Sequence, residues 1–184
     1  MDASIAWTDV ETNDVDERRH GATLLQLAAI VTDADFNELA EIETKFYFAP
    51  REAQAAYEHA NDFVREMHSK TGLWDELNNE ANPTHEEFDE TFSAWLKELQ
   101  PEPGVLRFGG NSITLDRNFM RQFLPKSFAH LSYRSLDMSS IEEFLVNTDG
   151  RKKFHKDYGH EAMDDIRASL DQARYHRELS KPPF

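Results

Sequence analysis

Two carboxylates stand at positions i and i+2, Asp9 and Glu11, inside an apolar-flanked segment, Ile5-Ala6-Trp7-Thr8-Asp9-Val10-Glu11. On a strand both side chains project from the same face. Like charges held together repel unless a cation lies between them. No folding requirement explains such a pair. Three more groups complete a pattern: Asp116, His160 and Asp165. Hard divalent cations held by several carboxylates are suited to phosphodiester hydrolysis. Oxygen-only ligands favour Mg²⁺ or Mn²⁺ over Zn²⁺. The chain has no cysteine, so thiolate metal sites and disulfides are excluded.

His160 and Asp165 bracket the start of the last helical pattern. Five helical steps separate two side chains by about 140°. One helix would not set them side by side, so His160 is expected to project from the preceding loop, where Gly159 allows a bend. Asp164 and Asp165 are both open as the functional aspartate on spacing alone.

These groups need a scaffold. Residues 4–10, Leu24 to Thr32 and Leu39 to Phe48 read as three strands, the first two joined by a polar loop, Thr12 to Gly21. Meander strands of this kind favour antiparallel pairing. Glu52 to Met67 has helical composition, and Lys70 to Asn79 reads as a further short helix. Thr84 with Glu87 matches a capping box, and Phe88, Phe92, Trp95 and Leu96 then recur at helical spacing as a core-facing stripe. Val105 to Phe108 reads as a strand ended by Gly109-Gly110-Asn111. Ile113 to Phe123 reads as a helix carrying Asp116, and Leu131 to Leu136 as a strand. Ser139 with Glu142 suggests another capping box. Glu161 to Glu178 reads as the last helix, with Met163, Ile166, Leu170 and Ala173 as its apolar face. The order fits a mixed-sheet α/β fold. No linker, repeat or low-complexity tract divides the 184 residues, so residues 1–184 are read as one domain.

Charge narrows the partners. The formal net charge is −15, whereas long duplexes are normally bound by neutralising many phosphates with Lys and Arg. A short substrate held by a few local contacts is compatible with the acidity, as is a merely solvated acidic surface. The longest apolar-rich run, Leu24 to Val31, is too short to span a bilayer. The start, Met1-Asp2, does not resemble a signal peptide. A reducing cytoplasm is allowed by the lack of cysteine.

The chain resembles the DEDD superfamily of 3′–5′ exonucleases, histidine variant, and within it the oligoribonucleases. The segments that carry the resemblance are Trp7-Thr8-Asp9-Val10-Glu11, Ile30-Val31-Thr32-Asp33-Ala34, Gly110-Asn111-Ser112-Ile113 running to Asp116-Arg117, Tyr133-Arg134-Ser135-Leu136-Asp137, and His160-Glu161-Ala162-Met163-Asp164-Asp165-Ile166-Arg167. They occur in the family's order and cover nearly the whole chain. The resemblance implies an RNase H-like mixed β-sheet flanked by helices. It implies two-metal hydrolysis, with Asp9, Glu11, Asp116 and Asp165 holding two Mg²⁺ or Mn²⁺ ions. It also assigns His160 the proton of the attacking water and prefers Asp165 to Asp164. The implied products are nucleoside 5′-monophosphates, the implied substrate is short single-stranded RNA, and the implied assembly is a homodimer.

The resemblance also implies substrate contacts. Ser112, Arg134 and Ser139 match a polar cluster that caps a 5′ phosphate. Phe63 stands where the family usually has Trp, and His68 lies in the stretch that contacts substrate. The loop after Glu11 departs from the family. Oligoribonucleases run Met-Thr-Gly-Leu-Asp, and this chain has Thr12-Asn13-Asp14-Val15-Asp16. Val15 takes the place of the leucine that wedges against the bases, and the loop is about two residues longer than the family pattern. Gln26 replaces a usual glutamate. Two alternatives stand beside the short-RNA reading: a 3′–5′ exonuclease on single-stranded DNA, and a non-catalytic nucleic-acid-binding module on the same fold.

Overall fold

The computed structural model describes residues 2–155 and 161–180. The chain runs β1 (Ile5–Thr12), β2 (Leu24–Thr32), β3 (Glu38–Lys45), α1 (Pro50–His59), α2 (Asp62–Lys70), α3 (Leu73–Glu76), α4 (His85–Leu99), β4 (Arg107–Gly110), α5 (Thr114–Phe123), α6 (Pro125–His130), β5 (Ser135–Asp137), α7 (Met138–Asp149) and α8 (Ala162–Ser180). The five strands form one sheet in the order β3-β2-β1-β4-β5. The β1–β2 and β2–β3 pairs are antiparallel, and the β1–β4 and β4–β5 pairs are parallel. This is the RNase H-like mixed sheet that the resemblance implies, with β1 at its centre.

Alternation along β1 sends its side chains to two cores. Ala6 and Val10 join a core with Leu25, Leu27, Phe92, Leu96, Phe108 and Phe119. Ile5 and Trp7 face the other way, against Ala28, Ile30, Ile166, Leu170 and Ala173. Asp9 and Glu11 continue that second parity, so period-two geometry aims both toward the α8 side. The apolar face expected on α8 is present: Ile166, Leu170 and Ala173 are buried and Met163 packs partly buried against them. Arg167 and Arg174 pair with Glu38 and Glu41 at the start of β3, and Arg177 pairs with Asp35 just before it. Exposed pairs of this kind contribute little each. All three arginines reach from α8 to the β3 edge of the sheet.

The capping box at Thr84 and Glu87 forms as expected. Several expectations are corrected. The expected helix Glu52 to Met67 is two helices, broken at Ala60-Asn61, where Asn61 Oδ1 caps α2 by accepting from the Val64 amide. The fourth strand does not stop at Phe108 but runs on through Gly109 and Gly110. A Cβ at Gly109 would fall 2.8 Å from Ile5 Cγ2 and 2.9 Å from Trp7 Cε3. Glycine lets β4 run that close to β1. Helix α6 fills part of a stretch the sequence pattern left unassigned, and β5 is only three residues long. Ser139 does not cap α7. Asp137 does, accepting from the Ser139 amide at 3.0 Å. Glu142 instead accepts from the Phe154 amide and lies 3.4 Å from His176. Among the described residues no helix is long and apolar enough to cross a membrane.

Candidate active site

The site lies where the central strands part. β1 and β4 are paired only at Ile5, Ala6 and Trp7. Among the described residues the β4-facing edge of β1 has no strand partner beyond Trp7, and its N–H groups need other acceptors. Asp116, from the first turn of α5, supplies one: its Oδ1 accepts the Val10 amide at 3.1 Å. The open edge thus draws the third carboxylate to the first two.

The fourth arrives from α8. Asp9, Glu11 and Asp165 each offer an oxygen, and these atoms all lie within 4.8 Å of one another. Glu11, Asp116 and Asp165 are buried and Asp9 is half-buried. Asp164 is exposed, so the register of the last motif favours Asp165 on geometry as well. Burial, then the neighbouring Asp165 and Asp116 carboxylates, push the Glu11 carboxyl up to about 8. Such crowding costs stability unless a positive charge offsets it. The donor set is oxygen only, so the residues present fit hard divalent cations. His160 lies outside the described residues.

Around this floor the candidate substrate residues are placed unevenly. Val15 and Phe63 stand 67% and 69% exposed, from the loop after β1 and the first turn of α2. Ser112 and Ser139 come together, with their hydroxyl oxygens 3.1 Å apart. Ser112 holds a positive φ of 52°, uncommon for a residue with a Cβ, and donates its amide to Asp137 Oδ1 at 3.1 Å. Arg134 is exposed, donates Nε–H to the Tyr133 hydroxyl at 3.0 Å and lies over that ring.

His68 lies deeper than the other candidate substrate residues. It is fully buried, presents no surface to a ligand, and donates Nε2–H to the Thr12 carbonyl at 3.0 Å. The same nitrogen lies 3.8 Å from Glu11 Oε2. Its place is beneath the end of β1, braced edge-on by Trp74.

Sequence reasoning missed two groups. Asn111 bridges the site, donating to Ser169 Oγ at 2.8 Å and accepting from Ser139 Oγ at 2.9 Å. Its signal was present in Gly110-Asn111-Ser112, but its partners are distant in sequence. Asp14 is buried in the loop after β1. Burial would raise its carboxyl, yet hydrogen bonds from the Asp16 amide, His59 and the Val15 amide, with the charge of Arg19, hold it below the usual range. Nothing local marks His59 as its partner.

Known proteins bear directly on this arrangement. The RNase T exonuclease family model matches residues 6–173. The chain is 31% identical over 175 residues to the oligoribonuclease of Dichelobacter nodosus, covering 95% of this chain and 93% of that one. It is 33% identical over 181 residues to the oligoribonuclease of Streptomyces griseus, covering 97% and 87%. The chain belongs to the oligoribonuclease family of exonucleases. As a member of that family it is a 3′–5′ exonuclease, a hydrolase of nucleic acid. The fold agrees. E. coli exonuclease I in complex with a 5cy-dT13 oligonucleotide superimposes with a TM-score of 0.66 at 14% identity over 98% of this chain. Exonuclease I of Methylocaldum szegediense gives 0.60 at 17% identity over 97%. This oligoribonuclease-family chain spans 41% of the length of each of those two proteins.

Proposed function

We propose that the chain, acting as a single exonuclease domain, is a two-metal-ion 3′–5′ exoribonuclease that degrades short RNA oligonucleotides to nucleoside 5′-monophosphates. The observation that carries the reading is the convergence of Asp9, Glu11 and Asp165 within 4.8 Å, with Asp116 anchored beside them on the Val10 amide. Asp9, Glu11, Asp116 and Asp165 would hold two Mg²⁺ or Mn²⁺ ions. When bound, such ions neutralise charge on the scissile phosphate and make water a better nucleophile at neutral pH.

The protein's own groups do the rest. Glu11, protonated below about pH 8 when no cation is bound, gives up its proton as the site fills, so cation affinity rises with pH. Asp116 holds α5 against the open edge of β1. His160, in the histidine position of the family motif, takes the proton of the attacking water, a task suited to a group whose ordinary pKa is near 6.5. Phe63 and Val15 meet the bases from two sides. Arg134, Ser112 and Ser139 hold the 5′ phosphate, with Arg134 making the charge-assisted contact. His68 acts from below, keeping the end of β1 in place. The chain acts as a homodimer in the cytoplasm in this reading, the cysteine-free composition suiting a reducing compartment. Light scattering on the purified protein tests the dimer.

A second reading, exonuclease action on single-stranded DNA, is favoured by one feature. Val15 is shorter than the leucine of the family wedge, which loosens the grip on a dinucleotide-sized substrate. Cleavage of 5′-labelled RNA and DNA ladders of about two to twenty nucleotides, with Mg²⁺, Mn²⁺ or EDTA, separates the readings. Short RNA is expected to be consumed fastest, and EDTA to stop turnover. Full activity in excess EDTA would overturn the two-metal mechanism. Preference for long DNA would replace the substrate.

A further inference from the structure

The loop after β1 differs most from its family, and it is held by side chains. Asp14 is buried within it. Its Oδ1 accepts the Val15 amide at 2.7 Å, the Asp16 amide at 3.1 Å and Arg19 Nη1 at 3.3 Å. Its Oδ2 accepts Nε2–H of His59 at 2.8 Å. Asn13 adds a second tie, donating Nδ2–H to the Gly21 and Ala56 carbonyls and accepting the Thr23 amide. Gly21 has a φ of +97°, and a Cβ there would fall 2.9 Å from His59 Nδ1. The His59 ring is thus seated between the two ends of the loop.

His59 ends α1, and α1 is tied to α2. Arg65 of α2 donates Nε–H to the Tyr57 carbonyl at 2.9 Å and Nη2–H to the Glu58 carbonyl at 2.7 Å. An unbroken set of bonds therefore runs from Val15 through Asp14, His59 and the end of α1 to Arg65, two residues from Phe63. Its two ends carry two of the large apolar side chains that the structure leaves exposed, Val15 and Phe63.

We propose that the Asp14–His59 pair is a specificity strut, which sets the separation of Val15 and Phe63 and so governs how tightly a short substrate is gripped. This rests on the reading of those two side chains as base contacts. His59 and Asp14 are positioning residues: they act through their neighbours and leave the hydrolytic step alone. The pair therefore belongs to KM.

The test uses the full chain with Mn²⁺ and a 5′-phosphorylated RNA dinucleotide. His59→Ala should raise KM about five- to tenfold with kcat within about twofold of the parent. His59→Gln, whose amide can still donate to Asp14, should restore KM to within about twofold. Hydrogen exchange at the Val15 and Asp16 amides should quicken in His59→Ala while the β1 amides stay protected. Should His59→Ala lose its fold, His59→Leu carries the same comparison, since it keeps much of the ring's volume and has no group to donate to Asp14. An unchanged KM in the folded variant, an equal fall in kcat, or no recovery with glutamine would overturn the strut. Phe63→Ala is the control: an unchanged KM there would overturn the base-contact reading and the strut with it. A parent enzyme that degrades only DNA would overturn the RNA substrate, and the strut is then judged by the same KM shift on a thymidine dinucleotide.

Discussion

Glu11 and Val15 are only a few residues apart, yet they are held by different means. Glu11 sits on the central strand of the sheet, and its direction follows from the pleat that also buries Ile5 and Trp7. Val15 sits on an exposed loop, and its position depends on Asp14, Asn13, Arg19 and His59. The floor of the site inherits the rigidity of the core. The rim has only the rigidity of a few polar contacts. A floor built this way can change little without loss of chemistry, whereas a rim built from loop side chains can change its grip and leave the chemistry intact. The departures from the family pattern cluster on the rim, between Thr12 and Asp16, with two more at Phe63 and at Gln26, the β2 partner of Glu11, and none falls on the four carboxylates.

The severest way to break the contrast is at the floor. Glu11→Gln keeps the shape of the side chain and removes its charge, so kcat should fall by about a thousandfold or more under saturating Mn²⁺. The same variant should gain stability. The Glu11 carboxyl is raised from 4.5 to about 8 in the folded state, so the metal-free fold binds a proton that the unfolded chain has released. Stability contributed by this group is full below about pH 4.5 and is lost as pH rises through about 8. The Tm of the metal-free parent should therefore fall over that window, and Glu11→Gln should be the more stable protein at pH 8, by about 5 °C. Added Mg²⁺ or Mn²⁺ should raise the parent's Tm and not the variant's to the same extent. A floor carboxylate that lost activity and stability together would instead be a packing residue.

The contrast is sharpened by two neighbours on α8. Asp165 is buried against Asp9 and Glu11, and Asp164 is exposed. Asp165→Ala should reduce kcat/KM about a hundredfold more than Asp164→Ala. A larger effect at Asp164, measured under the same Mn²⁺ concentration, would mean that the floor is assembled in another register.

At the rim the expected effect is smaller and substrate-dependent. Arg134→Ala should weaken cleavage of a 5′-phosphorylated dinucleotide by about 1.5–3 kcal/mol, or roughly ten- to a hundredfold in kcat/KM. A dinucleotide without that phosphate should be affected far less. Equal losses on both substrates, or equal parent rates on two-mers and twelve-mers, would remove the phosphate cap.

Much of the floor was legible in the order of residues. Alternation at Ile5, Trp7, Asp9 and Glu11 is a local property of a strand, and it places both carboxylates on one face wherever the strand lies. The apolar face of α8 and the capping box at Thr84 are local in the same sense, which is why they could be read directly. The two cores, the central place of β1 and the parting of β1 from β4 after Trp7 were decided by the tertiary structure. That parting explains why Asp116 meets the β1 pair, since an unpaired edge amide at Val10 needs an acceptor. Burial of His68 and the His59–Asp14 bond were likewise invisible, because each joins groups whose relation is set by how the chain returns on itself. Sequence by itself determined which chemical groups are available and which way a strand or helix must turn them. Only the packed structure decided which of them meet, because bringing distant segments together depends on burying their shared apolar surface, and no local spacing encodes that.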